Sequence, residues 1–314
     1  VQQACVMGRV QIGGGAWLGA FSVIRADGHE VKIGADFHLG DEATVHIAHD
    51  RFATRIGDGV SAGRNAVIHA CDVSDGCAVG ENTIILDGSR IGPGAILAPD
   101  AIVFPGKTLE GGWFYEGRPA KPVREVAAEE LQNCHERIHA GREMPVTTER
   151  AVLRHPKTCE DFFVAPSARL AGEVEIGRNV GIWYACRLDA GLHRIKIGQG
   201  TNVQDNTRIH CRDASVIIEP DVTIGHNVTL IDCRVKSGSL VGIGAHLAPG
   251  TVVERDVLVA AGAVSEPGQR LTSGQLWAGN PARPIAELDD HKYSILNETL
   301  PVYQSYARQF SSAE

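Results

Sequence analysis

Residues 73–103 read Val73-Ser74-Asp75-Gly76-Cys77-Ala78-Val79-Gly80-Glu81-Asn82-Thr83-Ile84-Ile85-Leu86-Asp87-Gly88-Ser89-Arg90-Ile91-Gly92-Pro93-Gly94-Ala95-Ile96-Leu97-Ala98-Pro99-Asp100-Ala101-Ile102-Val103. An aliphatic residue stands at every sixth place, from Val73 through Val79, Ile85, Ile91 and Leu97 to Val103. A period of six is neither the 3.6 of a helix nor the alternation of an ordinary strand; it suits short flat strands joined by tight turns. That is the hexapeptide signature of a left-handed parallel β-helix, in which three six-residue faces make one triangular coil and a small aliphatic points inward from each face.

Working outward, the same spacing holds at Ile33, Leu39 and Val45 and again at Ile56, Ala62 and Ile68, often with glycine next, as in Ile56-Gly57. It returns in the second half at Ile197, Val203, Ile209, Ile218, Ile224, Leu230, Val235, Val241, Leu247, Val253 and Val259. The irregularities recur too: a gap after the third position (45 to 56, 209 to 218) and a five-residue step (68 to 73, 230 to 235). Each series closes on one phrase, Tyr115-Glu116-Gly117-Arg118-Pro119-Ala120-Lys121-Pro122 and Trp277-Ala278-Gly279-Asn280-Pro281-Ala282-Arg283-Pro284, with Gly117 and Gly279 162 residues apart. Helical spacing then takes over at Ala127, Leu131, Cys134 and Ile138, and at Leu296, Leu300, Tyr303, Ala307 and Phe310, where Pro301 implies a kink or a late start. The expected fold is mainly β: two tandem left-handed parallel β-helices of hexapeptide repeats, each followed by a C-terminal α-helix. The expected domains are 1–141 and 161–314, with 142–160 as an aperiodic linker.

Composition narrows the function. In 314 residues, 43% are hydrophobic and 22% charged, with 36 glycines and few aromatics (Phe 8, Trp 4, Tyr 5), so the interior is aliphatic and evenly spaced. A formal charge of −8 without a basic tract argues against a nucleic-acid partner. No apolar run is long enough to span a bilayer. The eight cysteines show no CxxC spacing, which suits reduced thiols and a cytoplasmic placement; Val1 rather than Met leaves room for a removed presequence.

Polar residues on the coils must carry any chemistry. His46 follows inward Val45 and His69 follows inward Ile68, three faces later, so the two should lie on one face of adjacent coils, about 4.8 Å apart by strand spacing. Imidazoles so placed can share a metal ion. The second half keeps His210 after Ile209 but has Ile231 after Leu230. It places His226 near a corner, two residues past Ile224, where the first half has Arg64.

The runs Val23-Ile24-Arg25-Ala26-Asp27, Thr201-Asn202-Val203-Gln204-Asp205, Val222-Thr223-Ile224-Gly225-His226 and Asn280-Pro281-Ala282-Arg283 resemble the gamma-class carbonic anhydrase family. The resemblance implies a trimer of left-handed β-helices holding zinc between subunits, with two histidines from one subunit and a third from the next. By position it implies His46 and His69 as the pair and His226 as the donated ligand. It also makes His210 a relic and Arg64 a lost donor whose guanidinium could replace part of the metal's charge. One composite site from both halves would then hold zinc, with Fe2+ or Co2+ as alternatives, and use zinc-bound hydroxide on carbon dioxide or a related activated carbonyl. Gln204 matches the residue beside the hydroxide. Glu42, His49 and Asp50 are proton-transfer candidates near His46, although the family's long acidic loop is absent between Ile47 and Arg55, which implies slow turnover. Arg25 with Asp27, and Arg187 with Asp189, match the family's inter-subunit ion pair. Cys71 and Cys233 read as small β-helix residues rather than nucleophiles. The expected partners are a small-molecule substrate and further copies of the chain in a homo-oligomer with contacts between first-half and second-half domains. A hexapeptide acyltransferase using a histidine base and a metal-free assembly subunit are the competing functions.

Overall fold

The computed structural model describes residues 4–140, 157–158 and 162–311. The chain divides into two units, residues 1–148 and 149–314. Most of the expected linker lies outside the described residues, but Lys157–Thr158 within it is a strand paired in parallel with Glu175–Ile176.

Each unit is a left-handed parallel β-helix. In the first, one face stacks Val23–Arg25, Thr44–His46, Val67–His69, Ile84–Ile85 and Ile102–Val103; the second stacks Val31–Ile33, Thr54–Ile56, Asp72–Val73 and Arg90–Ile91. The third runs Trp17–Leu18, His38–Leu39, Ser61–Ala62, Ala78–Val79 and Ile96–Leu97. The 11-residue strand Val23–Ile33 passes through two faces. The second unit repeats the plan around Arg187–Ile197.

Every inward aliphatic named above is buried; Val45, Ile68, Ile209 and Leu230 are all at 0% exposure. Burying one such side chain contributes about 1.5–3 kcal/mol, so the stability is spread evenly along the coils. Glycine follows the aliphatic where the next coil closes in: a Cβ on Gly57 would collide with Asp75 Oδ1 and lie 2.6 Å from the Asp75 amide nitrogen. The repeated phrase forms the same hairpin in both units, Trp113–Glu116 with Lys121–Glu125 and Gln275–Ala278 with Arg283–Glu287.

Helix α1, Ala128–Ala140, lays Leu131, Cys134 and Ile138 on Ala78 and Ile96 of the third face. Helix α2, Asp290–Ser311, begins well before Leu296 and continues through Pro301, so no late start occurs there. Its Tyr303, Tyr306 and Phe310 pack around Trp183 and Phe163. Among the described residues no helix is long and apolar enough to cross a membrane.

Candidate metal centre

His46 and His69 are direct partners across adjacent coils, as the face count predicts. Their ring centroids are 5.4 Å apart and the ring planes stand at 81°, edge to face rather than stacked. Val45 and Ile68 point inward, and strand alternation turns the next residue of each strand outward.

For His46 and His69 the hydrogen bonds decide which nitrogen the ring offers. Nδ1 of His46 lies 2.8 Å from the backbone carbonyl of Arg25; a carbonyl only accepts, so Nδ1 carries the proton. Nε2 therefore holds the lone pair, and Arg25 Nη2 donates to it at 2.9 Å. His69 Nδ1 lies 2.6 Å from Asp87 Oδ1, which likewise leaves Nε2 as the ligand atom. In the second unit His226 Nδ1 is 3.2 Å from Asp205 Oδ2, with both side chains at 0% exposure, and Tyr303 places its hydroxyl 3.4 Å from Nε2. Asp205 uses its other oxygen to accept from the Tyr184 amide at 2.9 Å.

His46 and His69 thus each have Nδ1 hydrogen-bonded to an oxygen inside the first unit, which leaves a neutral Nε2 donor on each, the outer-shell pattern of metal-ligating imidazole. A metal on His46 would displace the Arg25 guanidinium, since Nε2 has one lone pair.

The other expected residues are placed differently. Glu42, 6% exposed, accepts from Arg64 Nε and Nη2 at 3.3 and 3.0 Å. Arg64, with its side chain 60% exposed, is a partner of Glu42, and Glu42 is drawn into that pair. His49 lies at the surface, 3.2 Å from Asp50. Gln204 is buried immediately before Asp205. His210 sits between Asp189 and Ile231 on its face, and burial lowers its pKa. Burial drives the Cys71 thiol up and that of Cys233 to about 12, so neither is a thiolate nucleophile near neutrality.

Arg25 and Asp27 pair within the first unit, where Arg25 is fully buried and also donates to His46. Arg187–Asp189 is not their counterpart. Ile24 pairs with Val45 and Leu188 pairs with Ile209, which puts Asp189 at the place of Arg25.

Sequence reasoning missed Asp87, the role of Asp205, and Tyr303. Asp87 stands 18 residues after His69, one coil on, a signal that counting could have found; Tyr303 lies 77 residues from His226 and gave none. Among the remaining histidines, His38 is 1% exposed and stacked between Trp17 and His139 at 4.4 and 4.5 Å, a packing role. His155 lies outside the described residues.

No protein-family model matches the chain. It is 36% identical over 189 residues to gamma carbonic anhydrase 2, mitochondrial, of Arabidopsis thaliana, covering 58% of this chain and 68% of that protein. The chain belongs to the gamma carbonic anhydrase family. Gamma carbonic anhydrase 1, mitochondrial, of the same plant is 38% identical over 160 residues, covering 49% of this chain, which spans 58% of that relative's length. A crystal structure of a putative acetyltransferase from Bacillus cereus superposes with a TM-score of 0.50 and 27% identity, covering 51% of this chain and 93% of that one. As a gamma carbonic anhydrase family member, the chain carries the histidine pair His46 and His69 in its first unit and His226 in its second.

Proposed function

We propose that the chain is a gamma-carbonic-anhydrase-like metalloenzyme with one composite site built from His46, His69 and His226, hydrating carbon dioxide or attacking a related activated carbonyl. The observation that carries this reading is the complementary retention of the three histidines, with Nδ1 of His46 and His69 hydrogen-bonded and their Nε2 left as donors. When bound, zinc would supply Lewis-acid activation of water near neutral pH; Fe2+ or Co2+ would fit the same nitrogens. The Arg25 carbonyl orients His46 and Asp87 orients His69, while Asp205 stands 3.2 Å from His226 Nδ1. Gln204, beside Asp205, is the proposed hydrogen-bonding group for the attacking oxygen. Proton export falls to His49 at the surface, and to Glu42 only if Arg64 releases it, which is why slow turnover is expected. A homo-oligomer that brings first-half and second-half domains together is part of this reading. A reducing, cytoplasm-like compartment is proposed on the unbridged thiols Cys71, Cys77, Cys134, Cys211 and Cys233.

The test is metal content by mass spectrometry together with carbon dioxide hydration by stopped flow, on wild type, His46→Ala, His69→Ala and His226→Ala. Each variant should lose the metal and the activity together. Mixing His69→Ala with His226→Ala chains then reads whether pair and donor come from one chain or two, since metal returns only if they come from two. One observation favours a second reading, a metal-free assembly subunit: the Arg25 guanidinium sits on His46 Nε2. A wild-type chain that takes up no zinc would establish that alternative.

A further inference from the structure

We infer that Asp87 is a positioning residue of the metal centre: its carboxylate holds His69 in the Nδ1–H form and so presents Nε2 as the ligand. The inference rests on the reading of His69 as a ligand and adds the group that sets the ring. Neutral imidazole carries its proton on either nitrogen, and an acceptor at Nδ1 selects one form while making Nε2 a stronger donor. Asp87 Oδ1 stands 2.6 Å from Nδ1, on a histidine side chain only 12% exposed, so the contact is sheltered on the histidine side.

The second unit is an internal control for whether Asp87 serves the turn instead. Ile85 and Leu247 are equivalent inward residues in the coils that follow Ile68 and Leu230, which places Pro249 where the first unit has Asp87. Both turns make the same backbone bonds. Gly106 N donates to Asp87 O and Gly268 N to Pro249 O, each at 2.8 Å. Gly88 N donates to Ala70 O and Gly250 N to Asp232 O, also at 2.8 Å. Gly88 and Gly250 both adopt left-handed φ, 68° and 77°. The turn therefore forms without a carboxylate. The unit that lacks the carboxylate is also the unit with Ile231 in place of the histidine. Within this chain the aspartate accompanies the histidine and not the turn.

The substitution that the twin turn already tolerates is Asp87→Pro, with Asp87→Ala as a second variant should proline perturb folding and Asp87→Asn retaining an acceptor oxygen. Zinc affinity of the full chain is measured by chelator competition. Asp87→Pro and Asp87→Ala should bind about 10–100-fold more weakly, the range typical of lost outer-shell partners, and Asp87→Asn should fall between them and wild type. In parallel, nitrogen-15 correlation spectra of the metal-free chain report the His69 tautomer, Nδ1–H in wild type and a mixture in the proline variant. Wild-type zinc affinity in both Asp87→Pro and Asp87→Ala, or an Nε2–H tautomer in the wild type, overturns the inference. A wild-type chain that binds no zinc but shows an Asp87-dependent tautomer removes the metal reading while leaving Asp87 as the group that sets the ring.

Discussion

On the composite-site reading the two halves lack different ligands, so the metal capacity of the chain should be open to rebuilding by exchanging residues between equivalent positions. Wild type holds one pair, His46 with His69, and one donor, His226; three histidines per site allow at most one site per chain. Adding a donor alone, through Arg64→His, gives two donors for one pair and still one site. Restoring the pair alone, through Ile231→His with Pro249→Asp, gives two pairs for one donor and again one site. Only the combination permits two.

The structure says what each exchange costs. Arg64→His by itself would strip the cation from Glu42, whose side chain is 7% exposed, and a buried group left without its partner costs about 1–3 kcal/mol. Glu42→Asn should accompany it, because Asn206 occupies that place in the second unit, and the Arg64 pair so removed is worth no more than about 1 kcal/mol at its exposed end. Ile231 is 5% exposed, so its replacement by histidine forfeits about 1.5–3 kcal/mol of apolar burial, which bound zinc should offset. Chains stripped with chelator, reloaded and dialysed would be assayed for zinc per polypeptide. The expected counts are no more than one for wild type and for either partial set, and up to two for the full set. Two tightly held zinc ions in the wild type, or a count that rises with either partial set alone, would refute the composite site.

Three further outcomes follow from particular contacts. His210→Ala should leave most of the bound metal in place, since its ladder neighbours are Asp189 and Ile231; loss of metal comparable to His69→Ala would return His210 to the site. Ile68→Ala and Leu230→Ala should each cost about 2–5 kcal/mol in urea unfolding, as both fill the axis of their coil at 0% exposure, whereas a cost below about 1 kcal/mol would mean the core is not built as described. Burial lowers the pKa of His135, His210 and His246, so the unfolded chain takes up these protons first; their stabilisation is complete above the ordinary histidine value near 6.5 and is lost as pH falls through the lower folded values. Thermal midpoints should therefore drop between about pH 7 and about pH 5.5, before Glu254, held below the usual carboxylate range by its hydrogen bond to Arg270, begins to protonate, and replacing the three histidines by glutamine should flatten that slope.

By itself the sequence determined the coil, the duplication and the juxtaposed histidine pair, because a β-helix repeats one local rule. Every six residues set one inward side chain, so counting from Val45 to Ile68 suffices to place His46 beside His69. The same counting found Ile231 in place of the second histidine of the pair, and His226 at the position where the first half has Arg64. Matching of short phrases was less safe: Arg187-x-Asp189 copies Arg25-x-Asp27 in letters, yet the ladder register places Asp189 opposite Arg25's position. Only the tertiary structure decided which nitrogen His46 and His69 present, that Arg64 is held by Glu42, and that Arg25 reaches His46. Those outcomes depend on side-chain direction and on groups one or more coils away, such as Asp87 and Asp205, or on a helix that returns across a face, as with Tyr303. A six-residue period carries the position of a side chain, but a hydrogen bond is made at the end of it, where distance and angle are set by whatever the fold brings alongside.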